Sequence, residues 1–298
     1  MRKRTIIGIL LPLLSLVFMG GLIILSLFLY TSPTRIFRQV DILGNGYKLN
    51  AYISEGNVAK NDWVIFIHGN RKEGQKHALY ATFRNNIASD FSVLAIDLRG
   101  FGGSRADGLG SESLVINRPQ DLKIAVDYLA KQYGTRPGKI ILIGHSLGAA
   151  WVMRAGVDTP FRQVVPIGLG DYDSLLRNPE KIRDYIGKVL ENTGVQMKPE
   201  RLAEEVSRFT AKAFFSNCPE SPVHLIFADY DDAREPLFPK YKTASEKCQG
   251  MVKWSVIPFS DHMYGTEITN HQKPLQRIYS RMMLSLLKYR IERILLRS

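Results

Sequence analysis

Six short apolar runs recur from the first third of the chain onward: Trp63–Ile67, Phe91–Ile96, Lys139–Ile143, Val164–Ile167, Val223–Ala228 and Val252–Ile257. They lack the in-out alternation of a half-exposed strand, which is the mark of parallel strands buried on both faces. Between them the spacing changes to the three-and-four period of amphipathic helices, at His77–Ala88, Pro119–Gln132, Leu147–Val157 and Leu237–Lys247. Pro119 falls where a first helical turn tolerates a missing N–H. Upstream, Val40–Leu43 and Tyr47–Ile53 flank Gly44-Asn45-Gly46, a hairpin signal. The pattern predicts an α/β fold: a doubly wound, mostly parallel sheet whose ligands gather at the carboxyl ends of the strands.

Residues 171–218 break the alternation and are too long for an ordinary connection. Ile182, Ile186, Val189 and Leu190 share one helical face, and Leu202, Val206, Phe209 and Ala213 share another. Two amphipathic helices are therefore expected, inserted as a lid over the strand ends; an ordinary crossover with an extra helix is the plainer alternative. At the other end, Gln272–Ser298 carries a helical pattern with a basic side (Arg277, Arg281, Lys288, Arg293, Arg297). A final helix packed on the sheet is expected, its basic side solvated or resting on anionic lipid.

The N-terminus has a different character. After Met1-Arg2-Lys3-Arg4, the stretch Thr5–Tyr30 holds no charge. As a helix it would span roughly 39 Å, enough to cross a hydrocarbon core of about 30 Å with tilt. A cleaved signal peptide would have a shorter apolar region and a small-residue cleavage site, which this stretch lacks. The expected organisation is a membrane anchor over residues 1–31, a tether over 32–39 and the α/β domain over 40–298. The basic residues before the anchor slightly outweigh Arg35 and Arg38, favouring a catalytic domain outside the cytoplasm. A formal charge of +12 agrees with an anionic surface as partner. No nucleic-acid motif is present and no nucleic-acid partner is expected. In an oxidising space the two cysteines acquire meaning. Cys218 and Cys248 each precede an apolar run, so adjacent strands would bring them within bridging reach, though two unrelated thiols remain the alternative.

The chemistry-bearing residues cluster just after the predicted strands. Gly144-His145-Ser146-Leu147-Gly148 stands where a strand ends and a helix begins, the setting of a nucleophile elbow. Gly144 and Gly148 flank the turn where larger side chains would collide. A serine needs a base to take its proton and a third group to orient that base. Of the histidines, His145 lies inside the elbow and points elsewhere, His68 suits a buttress between loops, and His224 alternates within a strand as a core residue. His77 and His271 have polar, helix-like surroundings. His262 follows the last strand directly and is the candidate base. The orienting carboxylate is sought among Asp229, Asp231 and Asp232, which follow a strand; Asp97 also ends one, but the chain order Ser…Asp…His favours the later cluster.

Four stretches together resemble the α/β-hydrolase superfamily, in its serine-hydrolase branch of esterases, monoglyceride-lipase-like enzymes and related peptidases. They are His68-Gly69-Asn70, Asp97–Ser104, Gly144–Gly148 and Ser260-Asp261-His262. The resemblance covers roughly Val40 to Tyr289. It implies an acid at the fourth position of a G-x-x-D loop, which selects Asp231, although Ala228 stands where that glycine would be. It also implies an oxyanion hole made by the N–H groups of Asn70 and Leu147. The reaction implied is ester cleavage, on a lipid or other small acyl ester, by Ser146, His262 and Asp231 through an acyl-enzyme, with no metal and no cofactor. An acyltransferase using the same residues and a non-catalytic anchored binding protein are the alternatives.

Overall fold

In a computed structural model, which describes residues 36–44, 47–56, 62–88, 91–104, 118–231, 234–248, 250–258, 260–263, 284 and 286–294, the apolar runs form one sheet. Strands β1 (Arg38–Gly44) and β2 (Tyr47–Ser54) make the expected hairpin, with Gly44 opposite Tyr47 across the turn. The remaining strands are β3 (Trp63–Ile67), β4 (Ser92–Ile96), β5 (Ile140–His145), β6 (Gln163–Ile167), β7 (Val223–Ala228) and β8 (Val252–Ile257). They run parallel to one another, and β2 pairs antiparallel with β4. The spatial order is β1-β2-β4-β3-β5-β6-β7-β8. Strands β3 and β5 are buried along their whole length, which is why their sequences carry no alternation.

Helices cover both faces: α1 (Ala78–Ile87), α2 (Arg118–Tyr133), α3 (Leu147–Asp158), α4 (Tyr172–Arg177), α5 (Pro179–Thr193), α6 (Pro199–Ser207), α7 (Ala211–Phe215), α8 (Arg234–Ser245) and, at residues 286–294, α9. Two apolar clusters divide the core. One holds α2, α3, the insertion and α8 against one face; the other holds α1 and α9 against the opposite face. In α9 the residues Leu287, Ile291 and Ile294 are buried, so this part of the predicted final helix packs on the sheet, while residues 272–283 and 295–298 lie outside the described residues.

The insertion departs from expectation, with four helices in place of two. Capping residues explain the subdivision. The Asn178 side chain accepts the N–H groups of Glu180 and Lys181 with Pro179 in the first turn, so α4 ends where α5 begins. Gly194, at φ 72°, closes α5; Pro199 opens α6, and Thr210 caps α7. Val189, Leu202, Val206 and Phe209 are buried, but Leu190 is 44% exposed. Phe209 lies in the turn after α6, edge-on to Trp151 with ring centroids 4.7 Å apart.

A disulfide joins Cys218 to Cys248, with Cα atoms 5.3 Å apart, and so ties the entries to β7 and β8. Among the described residues no helix is long and apolar enough to cross a membrane. The predicted anchor at residues 1–31 lies outside the described residues.

Candidate active site

After β3 the chain goes to β4 on one side, then returns across β3 to build β5 on the other. A reversal of this kind places the crevice in which α/β sheets hold their ligands beyond the carboxyl ends of β3 and β5. Asn70 follows β3 and Ser146 follows β5, so both border it.

Ser146 has φ 53° and ψ −114°, and among the described residues it alone has positive φ without being glycine. That strain is held by the surrounding turn: the Ser146 N–H donates to the Ile167 carbonyl at 2.9 Å, while α3 starts at the next residue. A Cβ on Gly144 would overlap the Gly148 carbonyl, and one on Gly148 would come within 2.6 Å of the His68 carbonyl oxygen. Both glycines are therefore steric requirements of the elbow, as the sequence suggested.

The loops after β7 and β8 bring two more groups to this hydroxyl. His262 Nε2 lies 3.0 Å from Ser146 Oγ, and His262 Nδ1 lies 2.7 Å from Asp231 Oδ2. Asp231 is buried, whereas Ser146 and His262 are partly exposed, so the line runs from an interior carboxylate to an accessible hydroxyl. With Nδ1–H donating to the carboxylate, Nε2 is the acceptor facing Oγ–H. The two backbone groups expected to face an oxyanion, Asn70 N–H and Leu147 N–H, form no hydrogen bond within the described residues. Leu147 opens α3, where first-turn N–H groups lack intrahelical acceptors and the helix dipole is positive. Across from them, the Asn192 side chain near the end of α5 donates to the Asn70 carbonyl at 3.3 Å. The insertion thus touches the loop after β3.

His145, adjacent to the serine, has another place. Its Nε2 lies 2.9 Å from the His262 carbonyl oxygen, and its Nδ1 lies 3.3 Å from the Tyr80 hydroxyl. A carbonyl only accepts, so Nε2 carries the proton and Nδ1 accepts from Tyr80. The Tyr80 oxygen in turn accepts the Gly69 N–H. Burial first, and then the charge of His262, push the His145 pKa down to about 3, which keeps the ring neutral. One hydrogen-bonded series therefore links the loop after β3, the elbow and the loop carrying His262. Tyr80 carried no sequence signal: it reads as one more apolar position of an amphipathic helix.

The other candidates have structural places. His68 accepts the Leu98 N–H at Nε2 (3.0 Å) and donates from Nδ1 to the Gly69 carbonyl, a buttress between β3 and β4. His77 caps α1, its ring accepting the Leu79 N–H. His224 is not a core residue; it is half-buried and hydrogen-bonded to Ser255 at 2.6 Å. Asp97 is fully buried and accepts from the Gln75 N–H, the Gly103 N–H and the Asn50 amide at 2.6, 2.9 and 2.7 Å. It fastens the loop after β4 to the loop after β3. Asp229 donates its N–H to the Ile257 carbonyl. His271 and Asp232 lie outside the described residues. Among the described residues no group of His, Cys, Asp and Glu is arranged to hold a metal.

The profile of the alpha/beta hydrolase family matches residues 64–282, a span that contains all of these groups. The chain belongs to the alpha/beta hydrolase family. A protein of Acanthamoeba polyphaga mimivirus, L404, itself only provisionally assigned as an alpha/beta hydrolase, is 28% identical over 122 residues. That match covers 40% of this chain and 44% of the viral one, so the chain spans less than half the length of that curated relative. Among solved structures, the esterase Pf2001 of Pyrococcus furiosus superposes with a TM-score of 0.58 at 18% identity, over 86% of this chain and 93% of that one. The acylaminoacyl peptidase of Pyrococcus horikoshii gives 0.60 at 14% identity, over 87% of this chain and 42% of that one. At such identities the likeness is one of fold.

Proposed function

We propose that this hydrolase is a membrane-anchored serine esterase that cleaves carboxylic esters, lipid esters among them, through an acyl-enzyme. The observation that carries the reading is the line Ser146 Oγ, His262 Nε2 and Nδ1, Asp231 Oδ2, with steps of 3.0 and 2.7 Å, beside two N–H groups that have no partner among the described residues. Ser146 Oγ attacks the ester carbonyl carbon while its proton passes to His262 Nε2. Asp231 stabilises the imidazolium and holds the ring in the tautomer that leaves Nε2 free to accept. The tetrahedral oxyanion receives the N–H groups of Asn70 and Leu147, each of which contributes about 10²–10³ in rate when it is well placed. Collapse of the intermediate expels the alcohol, which takes the proton back from His262. A water then delivers its proton to His262, attacks the acyl carbon and releases the acid and free Ser146.

The insertion serves as the lid in this account, since Asn192 holds the very loop that carries Asn70. The uncharged segment Thr5–Tyr30 serves as the anchor and brings the site to an acyl-rich surface. The test uses the full-length chain in neutral detergent with p-nitrophenyl esters of increasing acyl length, with and without glycerol as a competing acceptor. Saturable release of the free acid is expected, abolished by Ser146→Ala and undiverted by glycerol. Folded wild-type protein that turns over none of the series would overturn the reading, and a predominance of glyceride product would reassign it to acyl transfer.

A further inference from the structure

At the opposite end of the sheet lies a second concave site that the chemistry above does not use. It is a cleft of about 430 Å³ at the amino ends of β6, β7 and β8, lined by Arg162, Gln163, His224, Lys253, Arg290 and Arg293 among others. The strands between it and Ser146 are five or six residues long, so the two sites stand about 17–20 Å apart. Four cations from three separate parts of the chain converge here, and among the described residues the nearby acids do not balance them. Asp62 is taken by Arg162, and Glu292 pairs with Lys288 at 3.4 Å. Arg293 uses one nitrogen on the Tyr289 hydroxyl, while Lys253 and Arg290 donate to no acceptor among the described residues. Arg290 and Arg293 are half-buried, which makes an uncompensated guanidinium more costly than it would be in open solvent.

A further group narrows the ligand. Gln163 is only 6% exposed, and its Oε1 is buried without a hydrogen-bond partner. An acceptor of this kind suits a hydroxyl donor, such as the hydroxyl groups of a polyol. His224, fixed on Ser255, reports the sign of the field. Burial lowers its pKa most, and Arg290 and Lys253 add to that, bringing it to about 4. The ring is therefore neutral and leaves the anion to the arginines and the lysine.

We infer that this cleft binds a phosphate ester of a polyol, the phosphate held by Arg290, Arg293 and Lys253 and a hydroxyl donated to Gln163. Guanidinium groups match phosphate oxygens through paired N–H donors. The same chemistry occurs in a soluble glycerol phosphate and in an anionic glycerophospholipid headgroup, and the test separates them. The inference is independent of the esterase reading because the measurement is binding to full-length Ser146→Ala protein in neutral detergent.

Calorimetric titration would use glycerol 3-phosphate, inorganic phosphate, and dihexanoyl phosphatidylglycerol and phosphatidylcholine. Saturable binding of glycerol 3-phosphate is expected for a soluble ligand, and of phosphatidylglycerol alone for a lipid headgroup. Arg290→Gln and Lys253→Gln should each weaken it about tenfold, a change of about 1.4 kcal/mol. Arg290→Lys retains the charge and should lose less. Gln163→Leu should weaken the glycerol ester more than inorganic phosphate. The inference fails if no anionic probe saturates, if phosphatidylcholine binds equally well, or if binding survives Arg290→Gln and Lys253→Gln undiminished in protein of unchanged melting temperature.

Discussion

Two aspartates of this molecule leave the sheet at its carboxyl edge, Asp97 after β4 and Asp231 after β7, and both are buried. Their surroundings separate them. Asp97 has its oxygens taken by two backbone N–H groups and an asparagine amide, so its charge is spent on holding two loops together. Asp231 turns one oxygen to His262, whose other nitrogen faces the serine. Position at a strand end makes a carboxylate available to a crevice; the backbone then decides whether it stays available. Where glycine-rich loops fold back and present N–H groups, the acid becomes a structural fastener. Where the next strand delivers an imidazole, it takes a place from which it can orient that ring.

The comparison makes opposite predictions for the two sites. Asp231→Asn should lower kcat for ester cleavage by about 10⁴ through loss of the correct imidazole tautomer, with a melting temperature close to that of the wild type. Asp97→Ala should do the reverse. It strands three buried donors and should cost about 3–5 kcal/mol in chemical denaturation, with the remaining folded protein still reacting at Ser146. A stable, inactive Asp97→Ala protein would break the distinction. A smaller effect probes the histidine between the loops. In the unfolded chain His145 takes a proton near pH 6.5, but in the folded protein only near pH 3. Across that window the unfolded state holds more protons, so stability falls as the pH drops, by roughly 1.4 kcal/mol per pH unit at the steepest. His145→Gln should flatten this slope when denaturation is followed between pH 4 and 7.

Much of this was legible in the residue pattern, for reasons that also mark where it fails. Parallel strands such as β3 and β5 are buried on both faces, so their apolar runs survive as uninterrupted words in the sequence. The elbow was legible because its glycines answer a local steric demand. The choice of Asp231 needed the family resemblance, since nothing local distinguishes it from Asp229 or Asp232. Helix α4 escaped because its six residues are too few to show a period, and the cap at Asn178 marked its end only once α5 was seen to begin there. Tyr80 reaches His145 and Asn192 reaches the Asn70 carbonyl through tertiary packing between elements far apart in the chain, and short-range spacing carries no trace of such contacts. His224 was misplaced because its side chain lines the cationic cleft at the amino end of β7, although β8 pairs with β7 along its whole length, so alternation within the strand did not mean burial.

The central claim is that Ser146 is the nucleophile and that Asp231 acts on it through His262. It is met most directly by labelling the full-length protein with a fluorophosphonate and locating the adduct by peptide mass. The account predicts rapid, stoichiometric modification of Ser146 in the wild type, none in Ser146→Ala, and a rate reduced by orders of magnitude in Asp231→Asn. Folded wild-type protein that stays unlabelled, or labelling that persists in Ser146→Ala, would contradict it.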